Sequence, residues 1–137
     1  MALTADREVE FFATQELIDV PVDDNVVIYK GALVGLNSST GFARPLVAGD
    51  LFIGVAYRKA DNTIAGHTAG GIRVRLHQAV DIVHTLTGIS NSNVGATVYA
   101  SADDTLTLTS TSNSRVGVIV GKPAGNTARA RTQPWQS

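Results

Sequence analysis

The chain has 137 residues, no cysteine and a formal net charge of −1 at pH 7. This length fits one domain with a core of its own. The lack of cysteine excludes disulfides and thiolate metal sites, and the near-zero charge disfavours nonspecific binding to nucleic acid. No apolar run approaches the roughly 18 residues of a membrane span. The first residues have neither the basic nor the apolar part of a secretory signal, so neither a membrane segment nor a signal is expected.

Residues 1–24 are predicted to form an extended N-terminal arm. Their acidic side chains greatly outnumber the single basic one, Arg7. Their apolar side chains follow no clear helical or strand period, and Pro21 favours an edge strand or an arm. Large apolar side chains on an arm need cover, either on their own body or on a neighbouring molecule. The predicted anchor residues are Phe11, Phe12, Leu17 and Ile18.

A buried strand is predicted at residues 49–57, with a glycine, Gly54, inside it. The same pattern returns at residues 115–121 around Gly117. Glycine within a strand marks a bulge or a close approach of another backbone. We therefore expect Gly54 and Gly117 to occupy similar positions in two similar strands.

The strands that precede these two also resemble each other. They begin at Gly31 and Gly95. The number of residues from Gly31 to Gly95 is only one greater than the number from Gly54 to Gly117. We interpret this spacing as a duplicated strand–hairpin–strand unit, closed into one barrel or sandwich. Because few residues are identical, a chance likeness between two hairpins is the alternative.

Residues 72–83 show the clearest alternation in the chain, with apolar side chains on one face. This predicts one long amphipathic strand, or two strands with a bend near Gln78. The opposite face carries Arg73 and Arg75, which are candidate contact residues. That face is either solvated or lies against another subunit.

The elements together predict an all-β domain over residues 25–121, built from about eight to ten short strands. Thr and Leu alternate strictly over residues 105–109, as in a half-buried strand. Such a number of short strands is typical of a small β-barrel or β-sandwich.

Residues 122–137 are predicted to be a C-terminal tail, because the strand pattern stops there. The tail is basic, with no acidic residue. A terminal tryptophan is either disordered or an interface anchor, and we favour the anchor. The predicted tail contacts are Arg129, Arg131 and Trp135.

The residues that could support catalysis or metal binding do not form a recognisable motif. His77 and His84 are seven apart, so an uninterrupted strand would point them to opposite faces. His67 lies in a predicted loop, and no Gly-x-Ser-x-Gly elbow is present. We therefore expect no enzyme, no metal and no cofactor.

Several of these segments resemble the head decoration, or capsid cement, proteins of tailed bacteriophages. The resemblance covers roughly residues 26–121. The segments, in order, are Gly31-Ala32-Leu33-Val34, Gly49-Asp50-Leu51-Phe52-Ile53-Gly54-Val55-Ala56, Ile72-Arg73-Val74-Arg75-Leu76, Val94-Gly95-Ala96-Thr97-Val98-Tyr99 and Arg115-Val116-Gly117-Val118-Ile119-Val120-Gly121.

This resemblance implies a β-rich, non-enzymatic virion protein on the capsid exterior. Its partners would be the major capsid protein and further copies of itself, as a homotrimer or a homodimer, with neither nucleic acid nor a membrane involved. The protein would bridge neighbouring shell subunits through its arms and surfaces. The alternatives are a small binding module, either carbohydrate-binding or associated with a tail fibre, and a cupin-like metal enzyme.

Overall fold

A computed structural model describes Ala5 and residues 17–136 of the chain. The described part is all-β, as predicted, and its only helical element is a short 3₁₀ helix at Asn91–Asn93. It contains twelve strands, somewhat more than expected. They are β1 (Leu17–Pro21), β2 (Val27–Ile28), β3 (Leu33–Leu36), β4 (Ala43–Pro45), β5 (Leu51–Ala56), β6 (Ala60–Asp61), β7 (Arg73–His77), β8 (Asp81–Thr85), β9 (Thr97–Ala102), β10 (Thr105–Thr107), β11 (Ser114–Gly121) and β12 (Thr127–Thr132).

Ten of the strands form two five-stranded sheets. The first has the order β1-β7-β5-β3-β4, and the second is a closed barrel with the order β10-β8-β12-β11-β9. The short strands β2 and β6 pair with each other. The alternating residues 72–83 thus divide into β7 in the first sheet and β8 in the second, with the bend at Gln78.

The two sheets repeat the same strand pairing. In the first, β1 pairs antiparallel with β7 so that Asp19 lies opposite Arg75. In the second, β8 pairs antiparallel with β12 so that Val83 lies opposite Arg129. When β1 is aligned with β8 and β7 with β12, every pair of the first ladder has its counterpart in the second.

The central strands repeat as well, including their irregularities. The ladder between β3 and β5 shifts register once, and the ladder between β9 and β11 shifts register at the equivalent place. The turns before β3 and β9 are also alike, with Gly31 and Gly95 at φ values of 85° and 93°. The predicted duplication is therefore confirmed, and its unit has five strands, more than the predicted strand–hairpin–strand unit.

Each repeat also closes on itself through a parallel contact. Thr85 of β8 pairs with Thr105 of β10 in the second repeat. In the first repeat, Val22 makes a parallel bridge to Ala43. We call strands β1, β3, β4, β5 and β7 the first repeat, and strands β8 to β12 the second repeat.

Two apolar cores hold the structure together. The first fills the first repeat and includes Ile53 and Leu76. The second fills the second repeat and also takes in apolar side chains from the opposite face of the first sheet, namely Leu33, Leu46, Phe52 and Val55. Because that face packs into the second core, the repeats form one body and not two independent barrels.

Main-chain hydrogen bonds also join the two repeats. The amide of Leu33 donates to the carbonyl of Asp103 at 2.8 Å, and the amide of Trp135 donates to the carbonyl of Phe52 at 2.8 Å. Val47 forms an antiparallel bridge with Ala102. These bonds fix the orientation of one repeat against the other.

The glycines at equivalent positions of β5 and β11 permit a close backbone approach, as predicted. A Cβ atom built on Gly54 would lie 2.6 Å from the carbonyl oxygen of His77. A Cβ atom built on Gly117 would overlap the carbonyl oxygen of Arg131 and lie 2.9 Å from its carbonyl carbon. No side chain fits in such a space, so glycine is required where β5 meets β7 and where β11 meets β12.

The prediction of a C-terminal tail is wrong for residues 127–132, because these residues form β12. This strand lies between β8 and β11 inside the second barrel. Its inward side chains, Ala128 and Ala130, are fully buried but small. They occupy the places that Val74 and Leu76 hold in the first repeat, so the strand lacks the large apolar residues that reveal a strand in a sequence.

The predicted N-terminal arm also extends less far than expected. Leu17–Pro21 forms the edge strand β1, and Val20 and Val22 are buried in the first core. Ile18, a predicted partner anchor, packs against that same core, and Leu17 is half-buried. Phe11 and Phe12 lie outside the described residues. Among the residues that are described, none belongs to a helix with the length and apolar character needed to cross a membrane.

Candidate functional site

The exposed arginines on β7 and β12 lie beside two open grooves, one in each repeat. The first groove is lined by Asp19, Arg58, Arg73 and Arg75 and has a volume of about 200 Å³. The second groove is lined mainly by Asp81, Val83, Val120, Lys122, Pro123 and Arg129 and has a volume of about 490 Å³. Arg73, Arg75 and Arg129, which the sequence predicts as contact residues, are all exposed here, and Arg129 lies on a strand and not in a tail.

The first groove has more positive than negative charge. Arg75 donates two hydrogen bonds to the Asp19 carboxylate, at 2.9 and 3.1 Å. These bonds lower the pKa of Asp19. Among the described residues, Arg58 and Arg73 make no ion pair, and Arg58 lies 5.4 Å from the ring centre of Tyr57. Two cations of this groove are therefore available to a ligand.

The second groove is built around one carboxylate, that of Asp81. Arg129 and Arg131 each donate two hydrogen bonds to it, at distances between 2.8 and 3.1 Å. Lys122 has no ion-pair partner in the described part of the chain. Val83, with 54% of its surface exposed, adds an apolar wall.

The interactions of Asp81 predict a dependence of stability on pH. The hydrogen bond from Arg131, followed by that from Arg129, lowers the pKa of Asp81 from 3.8 to about 2. A carboxyl group whose pKa is lower in the folded than in the unfolded protein stabilises the fold at pH values above its unfolded pKa. This stabilisation is lost as the pH falls through its folded pKa. We expect wild type to lose more stability than Asp81→Asn between pH 3.8 and about 2. Urea unfolding at pH 5, 3.5 and 2.5 measures this difference, and parallel curves for the two proteins would contradict it.

The charges of the chain are segregated. Residues 1–16 hold four of the 12 acidic residues and one of the 11 basic ones, so their net charge is −3. Residues 17–136 hold the other eight acidic and ten basic residues and therefore have a net charge of +2. With Arg131 counted in the second groove, each groove has three cations and one carboxylate and therefore a net charge of +2. The two grooves together exceed the net charge of residues 17–136, so the surface outside the grooves is net acidic.

Trp135 is held on its own chain and does not end a loose tail. Its indole Nε1 donates to Oε1 of Gln78 at 2.9 Å. Its backbone amide binds the first repeat, as described above, and 43% of its surface is exposed. The prediction that Trp135 contacts a partner therefore applies to its exposed face only.

The three histidines do not come together. His67 contacts the carboxylate of Asp24, and His84 places Nε2 3.1 Å from the carbonyl of Gly31. The ring of His77 packs edge-on against Tyr57, with 5.0 Å between ring centres. Within residues 17–136, no group of three His, Cys, Asp or Glu side chains is placed to hold a metal ion.

Sequence reasoning missed Arg58, Lys122 and both groove carboxylates. Lys59 and Lys122 are as far apart along the chain as Gly54 and Gly117, but Lys59 lies outside the first groove. The carboxylates Asp19 and Asp81 occupy positions that are not equivalent in the two ladders, so the sequence repeat carried no signal for them.

Comparisons of the chain with known protein families, with curated proteins and with solved structures find no match. The function is therefore inferred from the residues and their geometry.

Proposed function

We propose that this protein is a structural component of a tailed-bacteriophage particle that binds the outside of the assembled capsid. It bridges neighbouring subunits of the major capsid protein and is not an enzyme. The observation that carries this proposal is the duplicated body, which presents two equivalent cationic grooves on one rigid unit. The motif resemblance to capsid decoration proteins supports it.

A bridging protein needs two contact surfaces that cannot move apart. The shared core around Phe52 and the hydrogen bonds between the repeats provide this rigidity. Linked contacts raise the apparent affinity well above that of either contact alone, as long as both can be made at once. Weak individual contacts on a capsid lattice then suffice for stable attachment.

The edge strand β1 offers a further contact. Within the described residues, Leu17–Pro21 pairs with β7 alone along its length. Its other edge meets β4 only through the next residue, Val22, so the earlier part of β1 can pair with an added strand, a common way of binding an extended segment. The residues that precede it include the predicted anchors Phe11 and Phe12. We propose that this end of the chain docks on the shell and that the protein assembles as a homotrimer, which analytical ultracentrifugation would test.

Binding to capsids tests this function. Purified protein is added to tailed-phage capsids that lack it, and bound protein is measured by cosedimentation and located by electron microscopy. We expect saturable binding on the outer surface at regular positions. Absence of binding to capsids, or location inside them, would contradict the proposal.

Deleting residues 1–16 tests the contribution of the N-terminal end. This deletion leaves β1 intact, whereas a cut inside residues 17–21 would damage the first sheet. We expect capsid affinity to fall by about tenfold or more, equivalent to about 1.4 kcal/mol. The thermal unfolding of the truncated protein is the control and should be unchanged. Unchanged capsid affinity would show that the N-terminal end is not a contact.

A further inference from the structure

The two grooves occupy equivalent places in the two repeats. Asp19 and Arg75 of the first groove correspond, by strand register, to Val83 and Arg129 of the second. By the separation between Gly54 and Gly117, Arg58 of the first groove corresponds to Gly121 of the second, whereas Lys122 corresponds to Lys59, which lies outside the first groove. The equivalence therefore follows from the backbone pairing, and it does not depend on a general likeness in charge.

We propose that each groove binds an acidic, extended segment of the shell protein, and that the two grooves take the same segment from two neighbouring shell subunits. One copy of the protein is then a two-point clamp. This inference rests on the proposed function and specifies the chemistry of its contact.

The charge arrangement favours a carboxylate-bearing ligand. In each groove, one carboxylate binds the guanidinium of an arginine and holds it in place, whereas other cations remain without an ion pair. These are Arg58 and Arg73 in the first groove and Lys122 in the second. Arginine binds carboxylates through paired, parallel hydrogen bonds, which adds geometric specificity to the attraction.

The walls of the grooves favour a peptide over a small anion. Val83 and Val120 line the second groove, and Val83 is 54% exposed. The first groove is lined by charged side chains, and the half-exposed ring of Tyr57 lies next to it, beside Arg58. A segment in which acidic and apolar side chains alternate would satisfy both.

The acidic residues 1–16 of the chain itself are the rival occupant. A single such segment per chain cannot fill two grooves on the same chain. Of the residues that most favour a tight reversal, namely glycine, proline, asparagine, aspartate and serine, residues 1–16 contain only Asp6. Two equivalent grooves on one chain therefore fit two copies of an external segment better.

Titration with an acidic peptide tests the two grooves directly. The full-length, ¹⁵N-labelled protein is titrated with hexaglutamate at low ionic strength and followed by NMR. We expect two separate groups of saturable amide shifts, one around each groove. Arg73→Ser should remove the first group and Lys122→Ser the second. Lys30→Ser, which also removes one exposed, unpaired cation but lies in neither groove, is the matched control and should leave both groups.

Three results would overturn the proposal: shifts at one groove only, shifts centred elsewhere, or shifts that persist in both groove variants. Deletion of residues 1–16 addresses the rival occupant. We expect the affinity of the truncated protein for hexaglutamate to change by less than about twofold, well under the roughly 1.4 kcal/mol of a tenfold change. A tenfold gain would show that residues 1–16 fill the grooves, and would also overturn the proposal.

Capsid binding by the same variants separates this inference from the proposed function. Losing either groove leaves a one-point attachment, so Arg73→Ser and Lys122→Ser should each lower the apparent capsid affinity by about 100-fold. Lys30→Ser should have little effect. If all variants bind capsids equally, the function stands and the two-groove clamp is wrong. If wild type binds no capsid although hexaglutamate fills both grooves, the proposed function is wrong and the shell is not the source of the segment.

Discussion

Replacement of Gly117 by alanine is expected to lower the free energy of unfolding by about 3 kcal/mol or more, in the range of severe core substitutions. The added Cβ would overlap the carbonyl oxygen of Arg131, which belongs to the adjacent strand β12. That neighbour is backbone and cannot turn away as a flexible side chain would. The ladder between β11 and β12 must therefore separate locally. Urea denaturation of wild type and Gly117→Ala measures the loss.

Gly121→Ala is the matched control because it lies at the end of the same strand. A Cβ on Gly121 would meet only the Cβ of Arg129, at 3.9 Å, which is an ordinary contact. We expect a change within about 0.5 kcal/mol, as for other substitutions that disturb no special feature. Equal and small losses for both variants would mean that β11 and β12 are not as close as the structure places them.

Phe52→Ala is expected to destabilise the protein by about 3–5 kcal/mol, the usual cost of truncating a fully buried phenylalanine. The Phe52 side chain is 0% exposed and belongs to the core of the second repeat, although β5 is part of the first. Its loss therefore removes packing between the repeats as well as within one of them. Calorimetry should show a lower transition temperature and a broader transition, because the two repeats would unfold less cooperatively.

Ile64→Ala is the control for this prediction. Ile64 is a large apolar residue of the same chain with 68% of its surface exposed. Its truncation should change stability by about 0.5 kcal/mol or less, as is usual on the surface. A small effect of Phe52→Ala, similar to that of Ile64→Ala, would mean that the repeats do not share a core.

The sequence predicted the parts of the fold that depend on large apolar residues and on glycine. Alternation identified β7 and β8, and the glycines at positions 54 and 117 identified the duplicated strands. It failed for β12 because the interior of the second barrel near Ala128 and Ala130 has room only for small side chains. Alanine carries little strand signal, and the arginines between the alanines resemble a solvated tail.

The grooves could be predicted only in part, for a different physical reason. The exposed arginines on β7 and β12 were recognised as candidate contacts from alternation and composition. Their carboxylate partners were not, because Asp19 and Asp81 are far along the chain from Arg75 and Arg131, the arginines that they bind. Such pairing depends on strand register, and register is set by the fold as a whole.

The apolar face that joins the two repeats is reproduced only in part on the second repeat, where Val118 matches Val55. Where the first repeat has Leu33 and Phe52, the second has Thr97 and Arg115 at the matching ladder positions. If the second repeat carried the same apolar face, it could pack against the next molecule as the first repeat packs against the second. Such head-to-tail contacts do not close by themselves, so molecules would add one after another into an open fibre. Thr97 and Arg115 lack the apolar surface of Leu33 and Phe52, so the second repeat does not offer a further molecule the contact by which it packs on the first.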